Sequence, residues 1–404
     1  MDERDKLAII GVASLPVGWF LERTELDAVL DAAKEAILDS GIDKSEIDGI
    51  FFGPCLAHEA VEFQLTFGRL VEELGLGQNC KFNVQVNAGG ATVSVMFKSA
   101  RGLMIAGHAE TILVVHTQSW SGIQQRLSPE ELVRFFRENG GQYEEWEHAY
   151  GMTFNAMVSL FTRRYMYETG CTMEQLASVA VSHRKWAGLN PHARFRKPIT
   201  IEDVLNSKMV ADPLHALDCN VLSDGASAFI LTSAEKAKSG FGRKPVYMLG
   251  EGAGGATHFS PVQKPDKDLT RFPGLGPAAR KALKEAGAKL EDISALEGHF
   301  SYPVFALMVM EEIGFCNRGE AGTLFMNGDT APGGKFPVST TGESLSEGHT
   351  GMGCIFTMFV EAVKQARGEA GERQVKDPKL VMFSLGGGAY MEFDIYILGK
   401  ELPS

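Results

Sequence analysis

Short apolar runs alternate along this chain with longer stretches in which apolar positions recur every three or four residues. From the N-terminus the order is "LAIIGVA", "ELDAVLDAAKEAILDSG", "IDGIFFG", "FQLTFGRLVEELG", "KFNVQVN", a small-residue stretch from Ala91 to Gly107, and "TILVVHT". The short runs read as buried strands and the three-four spacing as amphipathic helices. Strands alternating with helices predict a layered α/β fold with a largely parallel sheet.

From Gln118 to Tyr150 the alternation stops in a polar, acidic and aromatic insertion, the kind of segment that forms a lid or a partner surface. Helical patterns follow at Asn155–Glu168 and Thr172–Leu189. A second alternating series then starts at "PVYMLGEG" and ends at "KLVMFSLGGG" and "YMEFDIYIL". Each series holds a strand, a Gly-rich turn and a small-residue helix, at Asn87–Gly107 and at Thr341–Gly368, which is a weak internal repeat. We therefore expect two similar α/β halves, residues 1–240 (with an insertion and lid region at 118–215) and 241–404.

A length of 404 residues fits two such units better than one core. Thirty-nine Lys plus Arg against 51 Asp plus Glu give a formal charge of −12 with no dense basic run. That balance excludes nucleic acid and anionic lipid as general partners, though Arg194–Lys197 forms a local basic patch for an anionic ligand. The cysteines at 55, 80, 171, 219, 316 and 354 have no CxxC or Cys/His zinc spacing, so they read as reduced thiols and no metal site is expected. No membrane span and no signal or transit peptide stands out, and a cytoplasmic location is expected.

Four segments carry candidate chemistry. In "VNAGGATV", Gly89 and Gly90 precede a helix, whose free N–H groups can hold an anion when glycine lets a ligand come close; a tight turn explains them equally. "EGHFSYP" sets Glu297, His299 and Ser301 at the end of an apolar strand, well placed to line a site. "TTGESLSEGHTGMG" brackets Glu347 and His349 with glycines just before an apolar helix, where a neutral imidazole is favoured. "SLGGGAYMEF" places Ser384, Gly386 and Gly387 between two strands, either as a simple hairpin or as a source of backbone N–H groups for a substrate carbonyl.

Together these segments resemble the thiolase superfamily, specifically its sterol-carrier or lipid-transfer-protein branch, over nearly the whole chain. "VNAGGATVSVMFKSARGLMIAG" looks like the VNxxCxSG nucleophile segment and its central helix. "SHRKWAGLNP" resembles HxxxAxxNP and supplies His183, "EGHF" is similar to HDCF, "IGFCNRGEAG" to GFCxxGEG, "STTGESLSEGHTGMG" to the GHP block, and "SLGGG" to CxGGG. The resemblance implies a thiolase fold: two α/β halves in five αβαβα layers with an inserted loop region. It departs from the pattern at both thiols, because the nucleophile falls on Gly90 and the second cysteine on Ser384. Cys80 sits just before the strand, about seven strand residues and so more than about 20 Å from the turn at about 3.3 Å per residue, leaving Cys316 and Cys354 as the nearer candidates for a displaced nucleophile.

The resemblance further implies that His299 and His349 bind the thioester oxygen, that Ser384, Tyr302 and Glu347 are proton-transfer candidates, and that Gly89, Gly90, Gly386, Gly387 and His183 line the substrate. Losing the thiolate removes acyl-enzyme chemistry and keeps enolate stabilisation. The expected enzyme makes or breaks a carbon–carbon bond beside a CoA thioester, by retro-aldol cleavage or aldol addition on a β-hydroxyacyl-CoA. The alternatives are Claisen chemistry with a displaced or absent cysteine, and a non-catalytic acyl-CoA-binding subunit. No cofactor is expected beyond coenzyme A as the carrier, and the implied partners are a homodimer core and a small zinc-ribbon, OB-fold subunit.

Overall fold

Most of the apolar runs form strands buried on both faces, whereas the edge strand Phe82–Gln85 is largely exposed. A computed structural model describes residues 6–53, 68–128, 130, 131, 134, 152–241, 243–255, 269–351, 354–387 and 392–402. Strands β1 (Leu7–Ser14), β2 (Gly49–Gly53), β3 (Phe82–Gln85), β4 (Thr111–Gln118), β7 (Gly225–Ser233), β8 (Val246–Gly255), β9 (Ile293–His299), β10 (Leu380–Gly387) and β11 (Glu392–Gly399) make one sheet in the order β3-β2-β4-β7-β1-β8-β11-β10-β9. The short strands β5 (Met209–Ala211) and β6 (Leu214–His215) pair separately.

The sheet is mixed rather than largely parallel. β2 pairs parallel with β3 and β4, and β9 with β10, while β4/β7, β7/β1, β1/β8, β8/β11 and β11/β10 are antiparallel. Strand-helix alternation misses this because antiparallel neighbours need no helical crossover between them, as the short β10–β11 link illustrates. The order β2-β4-β7-β1 repeats as β9-β10-β11-β8 with the same sequence of pairings. Val338 even bridges Leu296 in parallel, as β3 pairs with β2. The expected change of half at 240/241 falls in the link between β7 and β8.

Helix α1 (Glu25–Ser40) shows how the chain sets its helices. Thr24 and Asp27 form a capping box, Gly41 closes the end in the left-handed region, and Ala28, Val29, Ala32, Ala33 and Ala36 are buried against the sheet. Helices α2 (Thr92–Ile105) and α8 (Cys354–Arg367) lie in the centre. Their apolar residues share one cluster with Phe51, Val114, Phe229, Val381, Phe383 and Tyr396, and α8 touches strands of both halves. α1 and α5 (Leu275–Ala286) cover the face of the sheet opposite α2 and α8. Gly250, Gly252 and Gly254 let α5 sit directly on β8, where a Cβ at Gly252 would lie 1.9 Å from the carbonyl oxygen of Ala278.

Helices α3 (Phe154–Thr169), α4 (Met173–Leu189) and α6 (Pro303–Ile313) pack together beside the sheet. Of the insertion expected to form a lid, residues 129, 132, 133 and 135–151 lie outside the described residues. Among the described residues no helix is long and apolar enough to cross a membrane.

Candidate active site

β9 ends on His299, and after three residues the chain enters α6 at Pro303. The corner between them turns at Ser301, whose φ is 62°. It is clamped by a carboxylate 42 residues further on: Glu343 Oε1 accepts the N–H groups of Phe300 (2.9 Å) and Ser301 (3.2 Å). Glu343 also sits at positive φ, 55°, at the start of the short helix α7 (Glu343–Ser346).

The same carboxylate oxygen lies 2.8 Å from His299 Nδ1, and the other ring nitrogen, Nε2, lies 2.7 Å from Ser301 Oγ. His299, Ser301 and Glu343 are all buried. Burial alone would raise the Glu343 carboxyl. The charge and hydrogen bond of His299, with help from His183 and Ser344, outweigh it and hold Glu343 at about 2. The ionised carboxylate fixes a proton on Nδ1, and in the neutral ring Nε2 is then the acceptor for the Ser301 O–H.

His349 stands against this chain, its ring 5.4 Å from that of His299 and tilted by 53°. Its backbone is held by Val221 and Ser223: His349 N–H donates to Val221 O (2.6 Å), and Ser223 N–H to His349 O (3.0 Å). Gly348 makes the approach possible, since a Cβ there would meet Ser223 Oγ and Val17 at 2.6 Å. The His349 Nδ1 is buried with no protein partner among the described residues. His183, on α4, is fully buried with neither ring nitrogen partnered among those residues. Burial lowers it to about 4 against the pull of Glu343. It lies edge-on to Phe325 at 6.1 Å and backs Glu343 rather than meeting solvent.

The other sequence-predicted residues are dispersed. Ser384 is buried and stands opposite Gly298, with Leu385 opposite His299, so alternation sends the Ser384 and His299 side chains to different faces. Gly386 and Gly387 lie within β10, paired with Phe393 and Glu392. The Tyr302 hydroxyl donates to Asn155 Oδ1 on α3, and burial pushes it well above the ordinary phenol range. Gly89 and Gly90 form the turn into α2; Thr92 Oγ1 ties that turn to Ala88 N–H (3.1 Å) and Gly89 O (2.6 Å), and no side chain caps the helix.

Glu347 is buried and accepts from Asn190 Nδ2 at 3.3 Å, while its Oε2 has no partner among the described residues. Burial pushes this carboxyl up to about 8, Glu361 adding to the shift against Thr341, Arg373 and Asn190. It lines a pocket of about 410 Å³ with His192, Lys364 and Arg373, a pocket whose walls include none of His299, Ser301 or His349. Burial raises every described thiol: Cys171, Cys219 and Cys316 to about 12, and Cys80 by a smaller amount. The Cys354 side chain is outside the described residues.

Sequence reasoning placed Ser301 with His299 at the strand end but gave its hydroxyl no role, and it missed Glu343. Ser301 carried a signal, two residues beyond His299 at a strand-to-helix corner. Glu343 carried none, because its contacts reach across more than 40 residues.

The profile of the thiolase C-terminal domain-like family matches residues 255–400. An acetyl-CoA acetyltransferase of Methanothermobacter thermautotrophicus is 30% identical over 98% of this chain and 99% of its own length. The chain belongs to the thiolase superfamily. Within it, similarity extends to a steroid side-chain-cleaving aldolase of Thermomonospora curvata, 30% identical over 94% of this chain and 95% of that one. A solved thiolase-fold structure, the Ltp2-ChsH2(DUF35) aldolase, superposes with a TM-score of 0.79 at 28% identity, covering 98% of both chains. The family and branch expected from the motifs, with their fold, are the ones found.

Proposed function

We propose that this chain cleaves the carbon–carbon bond of a β-hydroxyacyl-CoA by a retro-aldol step, or forms it by the reverse, with no acyl-enzyme. The observation that carries this reading is the pairing of His299 with His349 at one corner, in a thiolase chain whose nucleophile position is Gly90. Thiolytic cleavage needs a thiolate to receive the acyl group. Retro-aldol cleavage needs only a base for the β-hydroxyl and a donor for the enolate oxygen.

In the proposed step the β-hydroxyl loses its proton toward the His299 group and the Cα–Cβ bond breaks. The electron pair moves onto the thioester oxygen, and an aldehyde or ketone departs. His349 is the donor to that oxygen, a role worth on the order of a hundredfold to a thousandfold in rate. A proton returned to the α-carbon completes the acyl-CoA. Gly90 leaves the nucleophile's place to the β-substituent.

Support comes from similarity to proteins named for aldol cleavage. A second reading, Claisen-type acyl transfer, is favoured by similarity to the acetyl-CoA acetyltransferase. The raised thiols at 80, 171, 219 and 316 weigh against any of these four as its nucleophile. We further propose a homodimer core with a small zinc-ribbon, OB-fold partner subunit.

The test is to incubate the chain, co-expressed with that partner, with a β-hydroxyacyl-CoA alone and with a β-ketoacyl-CoA plus free CoA, and to identify products by mass. Aldehyde or ketone release from the hydroxy substrate without CoA is the expected result. Cleavage of the keto substrate only, and only with CoA, overturns the proposal.

A further inference from the structure

The hydrogen-bond chain at the strand-to-helix corner has an order that the enolate reading alone does not require. Ser301 Oγ meets His299 Nε2 at 2.7 Å, and His299 Nδ1 meets Glu343 Oε1 at 2.8 Å. We propose that Ser301 is the catalytic residue that touches the substrate proton, passing it to His299 while Glu343 positions and steadies the imidazolium. This rests on the proposed CoA-enolate chemistry and names its acid and base.

Three observations converge on it. Both ring nitrogens of His299 are engaged within the chain, so Nε2 reaches the reacting atoms through Ser301. Among the described residues, four non-glycine residues adopt positive φ, and two of them are Ser301 and Glu343. Strain of that kind persists where the surroundings enforce it, here through the Glu343 clamp on the corner. Finally, the ordinary location for the proton-transfer group, Ser384, has its side chain on the face away from His299.

The proton count closes. As the substrate hydroxyl gives its proton to Ser301 Oγ, the proton already on that oxygen moves to His299 Nε2. After carbon–carbon cleavage the same two transfers run backwards and deliver one proton to the α-carbon. No covalent bond to Ser301 forms, and Glu343 stays ionised throughout. By microscopic reversibility the relay also removes an α-proton from a simple acyl-CoA.

That reverse step gives a test independent of cleavage: exchange of the α-protons of propionyl-CoA and phenylacetyl-CoA in D2O, followed by NMR, with the complete protein and its partner. Wild type is expected to exchange at least one of the two. Ser301→Gly removes the hydroxyl and suits φ 62°, so it should keep or raise the melting temperature while losing exchange about a hundredfold or more. Ser301→Cys should restore part of it. Glu343→Gln should lose the downfield proton resonance of the His299 Nδ1–H, which Ser301→Gly should retain. Wild-type exchange in Ser301→Gly, no exchange in wild type, or an acyl adduct on Ser301 each overturns the relay. Exchange that depends on Ser301 in a protein that leaves β-hydroxyacyl-CoA uncleaved preserves the relay and removes the retro-aldol reading.

Discussion

At the scale of single residues the protein keeps one carboxylate ionised and another neutral a few positions apart in the same loop. Glu343 is held at about 2 by His299 despite burial, whereas burial carries Glu347, without such a partner, up to about 8. The stability consequence for Glu347 follows from its sign. An unfolded glutamate ionises near 4.5, so between about 4.5 and 8 the folded chain keeps a proton that the unfolded chain has lost. Its contribution is full below pH 4.5 and is lost as the pH rises through 8. Glu347→Gln stays neutral throughout, so the melting temperature of wild type should fall relative to this variant between pH 5 and pH 8. A constant difference over that range would contradict the assignment.

At the scale of elements the loop that carries His349 is set by the polar edge of α8. Thr340 N–H and Oγ donate to buried Glu297, and Thr340 Oγ also lies 3.0 Å from Glu361, which pairs bidentately with Arg373 at 2.9 and 2.8 Å. Removing one partner of a buried pair strands the other charge, so Arg373→Ala should cost about 3–5 kcal/mol in denaturant unfolding. A loss below about 1 kcal/mol would mean that the pair is solvated and does not anchor the loop. The elements themselves were largely legible: α1 through its caps and periodicity, the strands through their apolar runs, and the two histidines through the glycines and strand end beside them. Strand direction was not, since an apolar run reads alike whichever way it points. Nor was the Ser301–His299–Glu343 chain, which depends on two positive-φ residues and on a contact across 44 residues.

At the scale of the whole molecule an α/β unit is repeated within one sheet. The end of β9 and the loop before α8 meet at one corner, and on the proposed reading that corner stabilises an enolate with no nucleophile at the start of α2. Of the described thiols Cys171 is buried and Cys80, Cys219 and Cys316 are half-buried, and all are raised above the ordinary thiol range, which agrees with sulfur that packs rather than reacts. The most direct test of this account is the thiol balance of a single turnover series: free CoA consumed per carbon–carbon bond cleaved in a β-hydroxyacyl-CoA, measured on the complete protein with its partner. The account predicts none consumed and one acyl-CoA formed for each aldehyde or ketone. Consumption of one CoA per bond would contradict it and return the chain to thiolytic chemistry.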